Sequence, residues 1–321
     1  MTTVTIGVTC KNSRSTIKQC IDSLLNQNYP FNSFKVFVVD AFSADGTYEI
    51  LKKYVKNPAR KRIRLEQIEG NIAAGHNHII KNSFTELIAL VDSDCVADKN
   101  WLKNLTEPFK DNKINATAGI MKTPEDTNRL QRLIGIELET RFKKFPEFIP
   151  RAPTANLCFR TKFAKETLFD EKYDVAQETE WGYRYTEKYG LMKFIPKAIV
   201  YHYHRATWKS FFKQQYRYGK FVPSLYMKFK SKAKGDPIST RSMMIQVLLL
   251  YFLGLSLLFV PIGEFFVTIF LLLFLILELI YFYNLPVLDS NKDRIELMAI
   301  FIVRNIAWNL GILAGIYKVF G

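Results

Sequence analysis

The sequence predicts an α/β domain with a mostly parallel sheet, followed by a bundle of three transmembrane helices. Two observations lead to this fold class. In roughly the first 230 residues, short apolar runs rich in β-branched residues alternate with segments of helical periodicity, which is the order of βαβ units. Three apolar runs then follow, and each approaches the roughly 20 residues that cross a bilayer.

Strands and helices alternate regularly up to Asp92. The predicted strands are Val4–Val8, Lys35–Asp40, Ile63–Ile68 and Leu87–Val91, and the helices between them are Ser15–Leu25, Thr47–Val55 and Ile72–Ile80. Parallel sheets of this kind bind ligands outside the carboxyl ends of their strands. Asp40 and Asp92 both fall at such ends, so we expect the binding site at that edge.

Further elements follow with less regular spacing. Helices are predicted at Asp98–Phe109, Asp126–Phe145 and Thr179–Tyr189, and strands at Asn156–Arg160 and Lys193–His202. The helix at Asp126–Phe145 carries many charged residues, and we interpret most of them as a solvated face.

The chain is strongly basic, with a formal net charge of +15. Such a charge favours anionic partners, either nucleic acid or a membrane surface. Because apolar runs follow and no nucleic-acid recognition motif is present, we expect lipid headgroups and anionic substrates rather than nucleic acid. The N-terminal residues lack the pattern of a secretory signal peptide, so we place the domain in the cytoplasm, where the four scattered cysteines stay reduced.

A basic, aromatic segment precedes the apolar runs. Ten Lys or Arg residues lie between Arg205 and Arg241, interleaved with aromatic side chains, which suits a membrane interface. An amphipathic helix packed on the domain is the alternative. The predicted domains are a globular domain at 1–204, this interfacial segment at 205–242, and transmembrane helices at about 243–260, 265–283 and 297–319.

The strongest local signal for chemistry is Val91-Asp92-Ser93-Asp94. Alternate residues of a strand point the same way, so Asp92 and Asp94 can face one ligand. Carboxylate oxygens suit Mg²⁺ or Mn²⁺, which usually share them with substrate phosphates. An Asp-x-Asp is common in loops, but its position after a buried strand favours a metal site.

The order of several motifs resembles the family 2 glycosyltransferases, which have the GT-A nucleotide-sugar-binding fold. VTCKN, SLLNQNYP, VVDAFSADGT and VDSD occur in the places of the family's VPTYN, SLLxQxYP, VVDDGSTDGT and DSD. The resemblance covers about residues 3–225. It implies that Thr9 and Asp40 hold the nucleobase and ribose, and that Asp92 and Asp94 hold the donor diphosphate and the metal.

The donor side departs from the family pattern at three positions. Ala41 and Phe42 stand where the family has Asp and Gly, which removes one nucleobase contact and leaves Asp40 to act alone. GHNHII occupies the place of the family's ARNxGI, with His76 for the arginine.

The acceptor side of the resemblance lies further along the chain. PTANLCFR, which contains Asn156, resembles the family's strand beside the acceptor. The family's catalytic base falls on Glu178, where Gln-Glu replaces the usual Glu-Asp. Glu180 and Arg184 are four residues apart on a helix, so we interpret them as an ordinary ion pair.

Two more segments of the resemblance carry candidate ligands. His202 lies in a strand that supplies a metal ligand in some family members, and His204 is on the same side of that strand. A pair of interfacial histidines is the alternative. The QYRYG segment resembles one that borders the acceptor and the diphosphate, here through Gln215 and Arg217.

Together these features imply an inverting, metal-dependent glycosyltransferase that is a multi-pass membrane protein with a cytoplasmic catalytic domain. The implied donor is a UDP- or GDP-linked sugar, and the implied acceptor is a lipid-linked (polyprenyl) saccharide. One alternative is a polyprenyl-phosphate sugar synthase, in which an anionic phosphate attacks and needs no base. Another is a non-catalytic, membrane-anchored nucleotide-binding protein.

Two charged residues lie inside the apolar runs. Glu278 lies near the end of the second run and Arg304 near the start of the third. Charges within a membrane usually pair or serve a substrate site. We expect a Glu278–Arg304 ion pair, with binding of an acceptor lipid phosphate by Arg304 as the functional alternative.

Overall fold

The computed structural model describes residues 2–57, 62–256, 263–283 and 290–320. The chain forms two compact units. The first comprises Met1–Pro124 and Phe145–Tyr203, and the second comprises Glu125–Lys144 and His204–Gly321. The second unit therefore includes a segment from the middle of the chain, which the predicted boundaries at 204 and 242 leave in the first domain.

The first unit is built on one mixed sheet. Its strands are β1 (Val4–Cys10), β2 (Phe34–Asp40), β3 (Ile63–Gln67), β4 (Leu87–Asp92), β5 (Cys95–Ala97), β6 (Ala116–Lys122), β7 (Phe148–Ile149), β8 (Leu157–Arg160) and β9 (Met192–His202). Within the described residues these nine strands have the order β3-β2-β1-β4-β8-β6-β9-β5, and β7 pairs with β9.

Helices pack on this sheet and make up the second unit. They are α1 (Ile17–Leu25), α2 (Thr47–Val55), α3 (Ile72–Lys81), α4 (Trp101–Thr106), α5 (Arg129–Phe142), α6 (Thr161–Glu166), α7 (Gln177–Tyr189), α8 (Trp208–Lys228), α9 (Arg241–Ser256), α10 (Gly263–Tyr283) and α11 (Asn291–Phe320). The first seven predicted elements agree with the structure to within two residues at nearly every end, because each carries a clear apolar period.

The prediction of a mostly parallel sheet is wrong for its second half. Strands β3, β2, β1 and β4 are parallel, but β8 runs antiparallel to β4 and β6 runs antiparallel to β8. The sequence did not indicate β6, because its residues ATAGIMK have little β-branched character. Close packing requires small residues there: a Cβ on Gly119 would lie 2.1 Å from the carbonyl oxygen of Ala198.

The parallel strands place polar residues at one edge of the sheet. In β1 the residues Val4, Ile6 and Val8 are fully buried, as expected for a central strand covered by helices. Thr9 is in register with Asp92 of β4, and Cys10 is in register with Asp40 of β2. The predicted site edge is therefore formed.

The second unit is held together by α5 and α11. Leu130 and Leu133 of α5 form one buried cluster with Leu297, Ile300 and Phe301 of α11. The sequence suggested that most charged residues of α5 form a solvated face, and this prediction is wrong for Glu137. Glu137 is buried and accepts ion pairs from Arg141 at 2.8 Å and from Arg304 at 3.1 Å.

Polar contacts also fix the start of α11. Arg129 and Arg132 each lie within 2.9 Å of a carboxylate oxygen of Asp293. Helix α11 begins at Asn291, six residues before the start of the predicted transmembrane span at 297.

The bundle of three spans is shown only in part. Among the described residues, one helical stretch, Asn291–Tyr317, is long and apolar enough to cross a membrane, and the apolar stretches Arg241–Ser256 and Phe265–Ile280 are shorter. The predicted end of the first span, 257–260, lies outside the described residues.

The charged residues within the apolar helices form hydrogen bonds with polar residues of neighbouring helices, and the predicted Glu278–Arg304 ion pair stays a prediction. Arg304 donates to Glu137 at 3.1 Å and to Gln246 at 3.2 Å. Glu278 accepts a hydrogen bond from Asn305, the residue next to Arg304, at 2.8 Å. The sequence could not show this, because α5 lies far from these helices in the chain.

Glycines allow the backbones of α8 and α11 to touch. A Cβ on Gly311 would lie 2.2 Å from the carbonyl oxygen of Tyr216, and one on Gly219 would lie 2.5 Å from that of Trp308. Small residues four apart, such as Gly311 and Gly315, are typical of close helix pairs in membranes.

We predict that Gly311→Ala destabilises the protein by about 1–3 kcal/mol, because backbone atoms must move to admit the methyl group. Thermal unfolding in detergent measures this loss. Gly254→Ala is the matched control, since a Cβ there meets nothing within 4 Å and alanine favours the helix. Equal midpoints for the two variants would contradict the close backbone contact.

Candidate functional site

The short strand β5 brings together two residues that are far apart in the chain. It pairs antiparallel with the end of β9, so that Cys95 is opposite His202. The Nε2 atom of His202 then lies 3.4 Å from Oδ1 of Asp94. One ligand atom from each of Asp94, Cys95 and His202 lies within 4.8 Å of the other two.

This cluster fits a hard divalent cation through two of its three members. Asp94 and His202 are half-buried and offer a carboxylate oxygen and an imidazole nitrogen. Cys95 is 1% exposed and its thiol belongs to the core, where a soft sulfur ligand does not suit Mg²⁺ or Mn²⁺. The predicted metal ligands Asp94 and His202 are therefore placed together.

Asp92 lies at the same edge and is half-buried. Its Oδ1 accepts a hydrogen bond from the hydroxyl of Thr154 at 3.3 Å. Burial, and then the charge of Asp94, raise the pKa of Asp92 to about 7. A concentration of carboxylates with a raised pKa is the electrostatic setting in which a cation is stabilised.

Glu178 lies in the first turn of α7, near Asp92. Its negative charge is one of the causes that raise the pKa of Asp92, and burial raises the pKa of Glu178 itself. The helix begins after Ala176, whose φ of 59° turns the chain sharply into the site. Thr179 donates to Glu178 at 3.3 Å.

Arg151 supports this turn, and sequence reasoning missed it. Its buried guanidinium donates to the hydroxyl of Thr179 at 3.0 Å and to that of Tyr183 at 3.2 Å. The charge of Arg151 also lowers the pKa of Glu178, opposing the larger effect of burial. The sequence feature that could have pointed to Arg151 is its position between Pro150 and Pro153.

Glu180 and Arg184 form the ion pair that their spacing predicted. Two guanidinium nitrogens of Arg184 contact the two carboxylate oxygens of Glu180, the longer distance being 2.7 Å. Glu180 is completely buried. It therefore contributes to the structure of α7.

Asp40 is buried and hydrogen-bonded within the protein, and its predicted contact with the nucleobase or ribose stays a prediction. The side chain is 0% exposed. Its Oδ2 accepts from the backbone N–H of Ser43 at 3.0 Å and from Gln67 at 2.8 Å, and its Oδ1 accepts from the Ser43 hydroxyl. These bonds shape the loop that follows β2.

Thr9 lies at the site edge, half-buried, beside His76. The hydroxyl of Thr9 is 3.3 Å from Nε2 of His76. Burial lowers the pKa of His76 to about 3, so this ring is neutral. The residue that replaces the family's arginine thus brings no positive charge to the donor side.

Asn156 is buried and hydrogen-bonded within the protein, and its predicted position beside the acceptor stays a prediction. It is 1% exposed, and its amide oxygen accepts from the indole N–H of Trp101 at 2.8 Å. Its amide nitrogen donates to the carbonyl groups of Ile120 and Ala198, both at 2.9 Å. These bonds use the amide to close the irregular pairing of β6 with β9.

Three other candidate residues, His204, Gln215 and Arg217, lie in the second unit. Gln215 of α8 accepts from the indole N–H of Trp308 at 2.9 Å, and Arg217 of α8 is exposed. The backbone carbonyl of His204 accepts from Gln131 at 2.8 Å. Their roles toward acceptor, diphosphate or metal stay predictions.

The loops after β1 and β2 are joined to the Asp92–Asp94 segment. The side chain of Asn12 accepts from the N–H of Ala44 at 2.9 Å, and the N–H of Asn12 donates to Ser43 at 2.8 Å. The hydroxyls of Ser13 and Ser93 lie 2.8 Å apart. Ser93 thus ties the first loop to the segment that carries both aspartates.

Comparisons with known proteins agree with this fold and edge. Residues 5–214 match the family described as glycosyl transferase family 2. Glycosyltransferase AglE of Haloferax volcanii is 29% identical over 100 residues, which are 31% of this chain and 33% of AglE. The chain therefore matches about a third of that relative's length.

Two further proteins match over more of their length. The dolichyl N-acetyl-α-D-glucosaminyl phosphate 3-β-D-2,3-diacetamido-2,3-dideoxy-β-D-glucuronosyltransferase of Methanococcus voltae is 21% identical over 239 residues, 68% of this chain and 72% of its own. The mannosyltransferase PcManGT from Pyrobaculum calidifontis, solved with GDP-Man and Mn²⁺, has a TM-score of 0.63 at 13% identity and covers 96% of this chain and 87% of its own.

The likeness to the mannosyltransferase shows a shared fold, a GT-A-like α/β domain with a mixed sheet. The family match extends over more than half of the chain. The chain belongs to glycosyl transferase family 2.

Proposed function

We propose that this glycosyltransferase moves a sugar from a UDP- or GDP-linked donor to a lipid-linked acceptor, with inversion at the anomeric carbon. The observation that carries the proposal is the 3.4 Å approach of Asp94 and His202 beside Asp92 and Glu178. It joins a cation site and a candidate base at one edge of the sheet.

Asp94 and His202 are the residues that would hold Mg²⁺ or Mn²⁺. A cation bound there would neutralise the negative charge that develops on the leaving nucleoside diphosphate. PcManGT, whose fold is similar, is described in complex with GDP-Man and Mn²⁺. Asp92, held by Thr154, adds a second carboxylate that such a donor complex can use.

Glu178 would accept the proton of the attacking acceptor hydroxyl. Burial raises its pKa, which strengthens the carboxylate as a base at neutral pH, and Arg151 keeps it from rising further. Direct displacement by that hydroxyl inverts the anomeric configuration. Arg151 acts as a positioning residue, because it donates to Thr179 beside Glu178.

A lipid-linked acceptor at a membrane fits the second unit. The apolar stretch Asn291–Tyr317 is long enough to cross a bilayer. Four lysines lie at the end of α8 and in the short helical turn after it: Lys228, Lys230, Lys232 and Lys234. The relative from Methanococcus voltae has a dolichyl phosphate-linked sugar in its name. We therefore place the catalytic domain at the cytoplasmic face of the cell membrane, where positive residues favour anionic lipid.

The metal site makes the first prediction for this function. Asp94→Ala should abolish transfer, and His202→Gln should raise the Mn²⁺ concentration needed for half-maximal rate at least about tenfold. His78→Gln is the control, since His78 pairs with Glu66 on α3 away from the cluster. Full activity in excess chelator would remove the cation from the mechanism.

The base makes the second prediction. Glu178→Gln should lower kcat by at least about 10²-fold with donor binding retained, because the acceptor hydroxyl loses its proton acceptor. The wild-type rate should fall as pH decreases through the raised pKa of Glu178, above the usual glutamate value of 4.5, and the variant should lose this dependence.

Glu180→Gln is the matched control for Glu178→Gln. It removes a charge from the same helix turn, so it should lower stability while the folded enzyme keeps its kcat. Equal, small effects of the two changes on kcat would favour a polyprenyl-phosphate sugar synthase, in which a phosphate attacks without a base.

The lysine cluster makes the third prediction. Neutralising Lys228, Lys230, Lys232 and Lys234 together should raise KM for a lipid acceptor in anionic vesicles, because each lysine near such a surface contributes roughly 1 kcal/mol. KM for the donor should stay nearly constant.

The matched control for this change removes four exposed lysines from the first unit, Lys52, Lys53, Lys56 and Lys103. If both quadruple variants keep the wild-type KM for the acceptor, the docking role of the cluster is wrong.

A further inference from the structure

Hydrogen bonds hold the loop between β2 and α2 on both sides of Phe42. Asp40 receives the N–H and hydroxyl of Ser43, Asn12 receives the N–H of Ala44, and Asp45 receives the N–H of Thr47. These bonds fix the backbone on both sides of Phe42. The direction of the phenylalanine ring is therefore set by the loop.

The backbone at Phe42 is strained. Its φ is 51°, in the left-handed region that bulky side chains rarely adopt. Asparagine at such a position can compensate through its polar side chain, whereas phenylalanine cannot. Strain of this kind persists where the surrounding structure enforces it, and it concentrates at ligand sites.

Burial of the ring does little to offset this strain, because 54% of Phe42 is exposed. Phe31 and Phe84 are also exposed aromatic residues of the first unit, but they precede β2 and β4 and so lie toward the opposite edge of the parallel strands. Phe84 also has the ammonium of Lys165 over its ring, 5.0 Å from the centroid.

Phe42 lies at the carboxyl edge of the sheet, within reach of the donor site. Asp40 and Asp92 are in register with neighbouring residues of β1, so two strand spacings, roughly 10 Å, separate β2 from β4. A ribose linking a base to a diphosphate spans such a gap. The Asn12–Ser43 and Ser13–Ser93 contacts connect the two ends of this path.

Polar recognition of a nucleobase is weak on this loop. Asp40 is enclosed by its own hydrogen bonds, and Ala41 has no polar side chain. An aromatic ring remains, and every nucleobase has a face that can stack on one. Resting on the nucleoside diphosphate donor proposed above, we infer that Phe42 is the stacking platform for the nucleobase.

Stacking in place of a hydrogen-bonding acceptor changes specificity. A carboxylate acceptor distinguishes bases by their N–H groups, whereas a ring accepts any planar base. We expect the enzyme to bind UDP and GDP with affinities that differ less than tenfold.

The test measures binding of UDP, GDP and inorganic pyrophosphate to the full-length protein in detergent with excess Mn²⁺, by calorimetry. Phe42→Ala should weaken UDP and GDP by about 5- to 150-fold, the range for loss of one stacked base, and leave pyrophosphate unchanged. Phe42→Tyr should restore binding to within about threefold, and Phe42→Leu should not.

Phe84→Ala is the matched control, because it removes an exposed ring from the opposite edge and should leave all three affinities unchanged. Unchanged UDP and GDP affinities for Phe42→Ala, or an effect only on KM for the acceptor, would overturn the inference and leave the proposed function intact. Failure of the wild-type protein to bind either nucleotide would overturn both.

A stability measurement separates this role from a structural one. Phe42→Gly relieves the left-handed strain, so it should raise Tm by about 2–8 °C while it weakens nucleotide binding. A lower Tm for Phe42→Gly would show that the ring stabilises the fold, and this outcome would contradict the inference.

Discussion

The antiparallel pairing of β5 with the end of β9 is the constraint on which the site depends. The three residues of β5, Cys95–Ala97, pair with the end of β9, a strand that begins about a hundred residues later in the chain. The pairing places His202 beside Asp94, and the N–H of Tyr203 also donates to the Asp94 carbonyl at 3.1 Å. Without this pairing, the aspartates would end a parallel sheet with no second ligand type next to them.

The electrostatics of the site follow from where the sheet changes direction. Asp92 and Asp94 follow a buried strand, and Glu178 lies at the start of α7, so three half-buried carboxylates lie at the same edge of the sheet. Burial raises the pKa of both Asp92 and Glu178, and the charges of Asp94 and Glu178 raise the pKa of Asp92 further. A cation is the natural compensation, and Arg151 supplies part of it beneath the turn that carries Glu178. The same partial burial that disfavours these charges makes a base and a cation more effective at this site.

The second unit solves a different problem, which is to keep charges inside apolar helices. Arg304 and Glu137 are both buried, and each would be costly alone. Helix α5 supplies the carboxylate, so a segment from the middle of the chain becomes part of a unit otherwise made from the C-terminal third. Arg129 and Arg132 make the equivalent contact with Asp293 at the start of α11. Close backbone packing at Gly219 and Gly311 then joins α8 to α11.

The sequence alone determined the parallel half of the sheet, the edge that carries the aspartates, and the assignment to a glycosyltransferase family, because apolar periodicity and ordered local motifs record these features. It predicted Asp94 and His202 as ligands through resemblance, but only strand pairing brings them to one place. It could not show that Asp40 and Asn156 are buried and hydrogen-bonded within the protein, since a polar residue in a motif looks the same whether its hydrogen bonds go to a ligand or to the protein. It also missed β6 and the strain at Phe42. Those depend on partners distant in the chain and on a backbone angle, which no local pattern of side chains encodes.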